Sequence, residues 1–248
     1  MDRLSYSTFG VARFLMAIAV FFCHVFRDFN DFGFLFVGVF FFMSGYGMEK
    51  SYRRDYALIR CIPYLFIFGW FSCFYFLFFQ VFPYPSSWFL VVYFVVMFFY
   101  RFIRNIYGLL AAFFVLGLFF LFFGFEFGWS ASFGAFLFGV FFARKISSFT
   151  FLNCLLFLPF LLGIFFHIEI AFWAVLPLFS WIVLSVCSLK VFRPLAFLGR
   201  YSFFFYCTHC FLLGVFGVTW TLGGDPEFWG VLLAFCLSVF FSMFFTGI

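Results

Sequence analysis

The sequence predicts an all-α fold: a polytopic membrane bundle of about ten transmembrane helices, with both termini cytoplasmic. Three observations predict it. Of the 248 residues, 68% are hydrophobic and 9% charged, with a mean hydropathy of +1.21, which excludes an ordinary soluble chain. Apolar runs of about 16 to 20 residues, close to the length that crosses a hydrocarbon core, recur along the chain. The cations between them fall in alternate breaks.

The runs succeed one another in a simple order. The first, 11–26, ends at the charged RDFND, and the second, 32–48, ends at EKSYRRDYALIR. Residues 62–82 end at FPYPSS, 87–100 at RFIRN and 105–124 at FEFG. Residues 129–143 end at ARKISS, 150–166 at HIE, 170–187 at SLKVFRP and 200–219 at GGDPE, which leaves 228–247 as the tenth. Every connection is short, so residues 1–248 are expected to form a single integral-membrane domain with no separate soluble domain. Backbone groups inside a bilayer have to bond within their own segment, which selects helices for these runs.

Numbering the breaks alternately sorts the cations. Arg3, Arg13, Lys50, Arg53, Arg54, Arg60, Arg101, Arg104, Arg144, Lys145, Lys190, Arg193 and Arg200 fall on one side, thirteen of the fourteen, and Arg27 on the other. The preference of Lys and Arg for cytoplasmic loops puts the N-terminus and the basic loops inside. Asp28, Asp31, Glu126, Glu169, Asp225 and Glu227 then lie outside. The cations form no dense block, so no nucleic-acid partner is expected; the bilayer is the first partner. The eight cysteines lie in or beside apolar runs, where thiols behave as small hydrophobes, and no disulfide framework is expected. The start, MDRLSYSTFGVARF, lacks a cleavage pattern, so the first helix is expected to act as its own insertion signal. The 59 phenylalanines are spread over nearly every run and read mostly as lipid-facing filler.

The first run, ARFLMAIAVFFCH, carries Arg13 near one end and His24 near the other. Eleven residues rise about 16 Å and turn about 1100°, roughly 20° past three full turns, so both side chains share one helical face. This shared face has two readings. Arg13 can snorkel to the inner interface while His24 sits at the outer headgroups. Alternatively both face the bundle interior, where ionisable groups line pockets or pathways; there a guanidinium suits an anionic phosphate or a carbonyl, and an imidazole suits proton transfer.

An arginine, ten residues and a histidine in the first span resemble the signature of the acyltransferase 3 family of membrane O-acyltransferases. Phe40, Phe41, Ser44 and Gly45 resemble its Phe-Phe-x-x-Ser-Gly stretch, Trp88, Phe89 and Leu90 its Trp-Phe-Leu opening of span four, and Leu198, Gly199, Ser202, Tyr206 and His209 its late Leu-Gly-x-x-Ser-Tyr-x-x-Tyr-Leu-x-His segment. The four pieces occur in family order between residue 6 and about 215. The family pattern has two basic residues three apart after span two; this chain keeps Arg60 but has Ala57 at the first position, with Arg53 and Arg54 nearby on a different face. Phe203 and Cys207 replace a tyrosine and a leucine in the late segment.

The resemblance implies an enzyme of the plasma (bacterial inner) membrane. It would move an acyl group, commonly acetyl, from cytoplasmic acyl-CoA to a hydroxyl of a cell-surface polysaccharide or its lipid-linked precursor, with no permanently bound cofactor. His24 and Arg13 would be catalytic, and Arg13, Arg60, Arg53 and Arg54 would hold the donor. Ser44, Trp88, Ser202, Tyr206 and His209 would shape the acceptor pocket.

Several polar residues keep two readings each. Ser202, Tyr206 and His209, at i, i+4 and i+7, form one stripe that serves interhelical hydrogen bonding or the acceptor pocket. Ser44 with Gly45 lets helices approach closely, or donates to a ligand. CTHC has Cys-x-x-Cys spacing, but its histidine is misplaced for haem attachment and no second ligand pair is in reach, so no metal is expected. Glu126 and Glu169 cap outer loops or orient His24, and His167 reads as an interface residue. Arg101 with Arg104 and Arg144 with Lys145 read as topology signals. The competing function is a transporter or flippase for an envelope glycolipid, although no carboxylate falls firmly in a span and no internal repeat is visible. An inactive scaffold is the third class.

Overall fold

The structure, a computed structural model, describes residues 5–26, 32–50, 57–79, 87–103, 127–145, 168–217 and 227–246, together with 105, 107–109, 111, 112 and 115. Among them the regular elements are all helical. They are α1 (Tyr6–Val25), α2 (Gly33–Lys50), α3 (Ala57–Phe79), α4 (Ser87–Phe102), α5 (Phe127–Lys145), α6 (Ile168–Cys187), a 3₁₀ helix (Lys190–Arg200), α7 (Ser202–Val215) and α8 (Phe228–Thr246). Each α-helix covers one expected run. The fifth run is described only near its start, and the seventh lies outside the described residues. Several breaks are helical in part, and most of SLKVFRP, from Lys190 on, belongs to the 3₁₀ helix. Among the described residues, Ser7–Val25 of α1 is long and apolar enough to cross a membrane, while Val91–Phe102, Ser132–Arg144, Ser202–Val215 and Phe228–Phe244 are shorter apolar stretches.

The chain divides into two compact units, one of residues 1–4, 37–64 and 88–186, the other of 5–36, 65–87 and 187–248. In the first unit small residues set the packing of α2 on α5. A Cβ added to Gly45 would collide with the Phe136 carbonyl, and one added to Gly139 would collide with the Phe42 carbonyl. Backbones this close need residues without side chains at both positions, which is the role expected of the Ser44–Gly45 pair.

The contacts also fix helix directions. Phe42 of α2 lies by Gly139 of α5, and Glu49, seven residues on, lies by Arg144. Phe41 of α2 packs on Tyr93 of α4, and Glu49 receives the Tyr100 hydroxyl. Both registers advance together, so α2, α4 and α5 run parallel. At the end of the three helices the Arg144 Nε and Nη2 groups donate to the two Glu49 oxygens at 2.9 and 3.0 Å, and the Tyr100 hydroxyl donates to Glu49 at 2.8 Å. Arg144, read from sequence as a topology signal, is thus also one arm of an ion pair.

In the second unit Ser5 caps α1, its hydroxyl accepting from the Thr8 N–H at 3.2 Å. The 3₁₀ helix crosses α1 at a second glycine pair: a Cβ on Gly10 would strike the Ala196 carbonyl, and one on Gly199 the Gly10 backbone. Gly10 near Gly199, Phe21 near Phe205 and His24 near His209 then advance together, so α1 and α7 are parallel as well.

Buried hydroxyls bond back to their own helices. Thr208 donates to the Phe204 carbonyl at 2.8 Å and Ser238 to the Ala234 carbonyl at 2.7 Å, while Ser242 donates to Ser238. Such bonds suit surroundings that offer no water. On α3, by contrast, Phe66, Trp70 and Leu77 are 69, 66 and 67% exposed; their spacing of four and seven puts bare apolar rings and chains along one side of the helix. Exposed phenylalanines outnumber the fully buried ones among the described residues, but some build the core. Phe21, Phe41, Phe42, Phe133, Phe136, Phe142 and Phe205 are among the largest fully buried side chains, because a ring supplies more buried apolar area than any aliphatic chain.

Candidate active site

The site grows from one face of α1. At 100° per residue, Gly10, Arg13, Ala17, Phe21 and His24 fall within a sector of about 80°. Gly10, Ala17 and Phe21 are buried, and Gly10 and Phe21 touch the 3₁₀ helix and α7. Arg13 and His24, both half-buried, therefore lie on the packed face of α1. Arg13 sits about 16 Å along the axis from His24.

Opposite His24 stands His209 of α7, with ring centroids 5.4 Å apart and planes inclined at 36°. His209 is fully buried. Phe205 stacks on its ring at 5.7 Å and 13°, Tyr206 meets it edge-on at 5.4 Å, and Phe21 lies at 6.0 Å. Phe235 of α8 closes on Phe21 and Phe205 at 5.4 and 5.7 Å. Aromatic walls of this kind exclude water and strengthen whatever electrostatics operate between them.

The tautomer of His209 is set by its partners. Its Nδ1 lies 3.0 Å from the Phe205 carbonyl, which can only accept, so Nδ1 carries the proton and Nε2 presents a lone pair. Cys210 Sγ lies 3.2 Å from that Nε2 and donates its S–H there. Tyr75 of α3, buried, is near enough to Cys210 to interact with it electrostatically. Ser72, one turn earlier, is buried with its hydroxyl lacking a partner; such a group is where water or ligand oxygen is taken up.

The structure thus joins His24 with His209 and Tyr206, and puts Arg13 on the same face. Ser202 belongs to the same unit, but its hydroxyl donates to the Gly199 carbonyl at 2.8 Å and serves the start of α7. Ser44 is half-buried on α2 in the first unit. Trp88 and Arg60 hold helical positions in α4 and α3 with side chains outside the described residues, where Arg53, Arg54, Glu126 and His167 also lie; Glu169 is a helical position of α6 whose side chain is likewise outside them. Beside CTHC, read from sequence as having no second ligand pair in reach, the structure brings one further side chain able to ligate: His24 converges with His209 and Cys210, because α1 and α7 pack in parallel at the Gly10–Gly199 crossing.

No family model, curated protein or solved structure matches this chain. The functional reading therefore rests on the residues themselves. Those that sequence reasoning passed over are Phe21, Phe205, Phe235 and Tyr75, and Cys210 was weighed only as half of a Cys-x-x-Cys pair. Cys210 carries a signal in its place directly after His209 on the same helix; the aromatic residues had no local signal in a chain so rich in phenylalanine.

Proposed function

We propose that this chain is a ten-span O-acyltransferase of the plasma membrane with both termini cytoplasmic. It would move an acyl group, acetyl first, from cytoplasmic acyl-CoA to a hydroxyl of a surface glycan or its lipid-linked precursor. The observation that carries the reading is the pairing of His24 with His209 between aromatic walls, with Arg13 on the same face of α1. The parallel registers of α2, α4 and α5, and of α1 and α7, support the alternating topology, and the bare apolar side of α3 supports contact with lipid.

Sugar hydroxyls are weak nucleophiles. In this reading His24 accepts the hydroxyl proton as the oxygen attacks the thioester carbonyl; the C–O bond forms, the C–S bond breaks, and the CoA sulfur leaves with the proton. His209 positions His24. Arg13 holds the anionic part of the donor about 16 Å away, so an extended donor would lie along α1 with its thioester at the imidazoles. A covalent acyl-histidine relay is the variant of this step.

The test is compositional analysis of surface glycans with and without the gene, scored for a missing O-acyl group. Purified protein given labelled acetyl-CoA without acceptor separates direct transfer from the relay, since only the relay leaves label on His24. Paired imidazoles, one of them fully buried, also suit a proton relay in a glycolipid transporter. That reading requires glycolipid movement coupled to protons and no binding of acetyl-CoA by the detergent-solubilised protein.

A further inference from the structure

Three metal-ligating side chains meet in the second unit: His24 from α1, and His209 and Cys210 from α7. One ligand atom of each lies within 4.8 Å of the others. Acyl transfer gives Cys210 no task. In a tetrahedral zinc site, with Zn–S about 2.3 Å and Zn–N about 2.0 Å, neighbouring donors are about 3.3 to 3.6 Å apart. Cys210 Sγ and His209 Nε2, at 3.2 Å, stand slightly closer than that bite. Bringing in the His24 nitrogen takes a shift of little more than about 1 Å.

A second observation points the same way. Histidines that ligate metals usually donate their other ring N–H to a carbonyl or carboxylate, which fixes the ring and the tautomer. His209 does this through Nδ1 to the Phe205 carbonyl at 3.0 Å, and its Nε2 lone pair faces the cluster. His209 and Cys210 are 0 and 6% exposed, with Phe21 and Phe205 around the imidazole, so competing water is kept away. Two imidazoles and a thiolate favour zinc or a soft monovalent ion over magnesium or calcium.

We propose that His24, His209 and Cys210 form a zinc site with three protein ligands and one open position. Binding breaks the Cys210 S–H bond, forms Zn–S and releases that proton to solvent, with no change of oxidation state. The ion keeps one net positive charge against one thiolate and two neutral imidazoles, so the open position suits water or an anionic oxygen or sulfur. The site is the His–Cys neighbour pair plus a distant histidine; Cys207, the other half of Cys-x-x-Cys, is not among the converging residues. The inference does not rest on acyl transfer: a His24 nitrogen bound to zinc has no lone pair left to act as base, so zinc loading and the general-base step exclude one another, and metal content alone decides the site.

Full-length protein in detergent is stripped with chelator, loaded with zinc chloride, desalted and assayed for metal. The expected result is about one zinc per chain, with affinity falling by at least about 100-fold, more than loss of an outer partner costs, in Cys210→Ser and His24→Ala. Cys207→Ser should bind as wild type. Cobalt loading should give a thiolate charge-transfer band that Cys207→Ser keeps and Cys210→Ser loses. Where Cys210→Ser does not elute as a folded species, the wild-type cobalt band decides. Uptake well below stoichiometric, absence of that band, or binding indifferent to Cys210→Ser and His24→Ala would overturn the site.

Discussion

Replacing Glu49 with alanine tests the packing of the first unit. The carboxylate accepts two bonds from Arg144, at 2.9 and 3.0 Å, and one from Tyr100 at 2.8 Å. Hydrogen bonds to charged groups contribute about 1.5 to 3 kcal/mol each, and removing one member of a well-buried pair costs about 3 to 5 kcal/mol. Here the side chains remain 20% and 17% exposed, so water rehydrates part of the stranded guanidinium. The expected loss is therefore about 2 to 3 kcal/mol, roughly 30- to 150-fold in the folding equilibrium. Reversible unfolding in mixed micelles would measure it. A double-mutant cycle with Arg144→Ala should return a coupling of about 2 kcal/mol. A coupling below about 0.5 kcal/mol, the range of open surface pairs, would show that these helix ends do not meet as described.

The second unit and the topology give three further expected outcomes. His24→Ala should lower acyl transfer by about 10²- to 10⁴-fold, the range of general-base loss, with correctly inserted protein as the control; full activity would remove His24 from the chemistry. Gly199→Val should lower stability by about 1 to 3 kcal/mol through overpacking, since its Cβ meets the Gly10 backbone, whereas Gly69→Ala, which meets nothing within 4 Å, should be neutral or slightly stabilising in thermal unfolding. Single cysteines placed at Lys190 and Glu227, both exposed, should react with a membrane-impermeant reagent only from the cytoplasmic side and only from the outer side respectively. Labelling of both from one side would break the alternation.

Helix positions were readable from sequence because the breaks are chemically loud: a charge cluster or a proline pair ends a run of phenylalanine without ambiguity. The shared face of Arg13 and His24 was equally readable, since it needs only the helical period. The partner of His24 was not. His209 lies 185 positions later, and its approach depends on Gly10 and Gly199 letting two backbones touch, a contact that neither glycine announces alone. The Glu49–Arg144 pair shows the same limit, since charges scored as topology signals become partners only once α2 and α5 are known to be parallel.

The two places described above where polar side chains of different helices meet differ in their physics. At the ends of α2, α4 and α5 the groups are charged, partly wet and arranged as a clasp. Removing that clasp is expected to cost stability, so packing alone accounts for it. Around His209 the groups are imidazole and thiol, with His209 and Cys210 buried and walled by Phe21, Phe205 and Tyr206. Burying an imidazole among rings costs desolvation that a leucine or phenylalanine of similar volume would not incur. Packing therefore gives no reason for His209, still less for a second imidazole 5.4 Å away on another helix. What two adjacent imidazoles and a thiol supply that rings cannot is lone pairs, able to take a proton or hold a cation, and that capacity is the physical ground for placing the chemistry of this chain between α1 and α7.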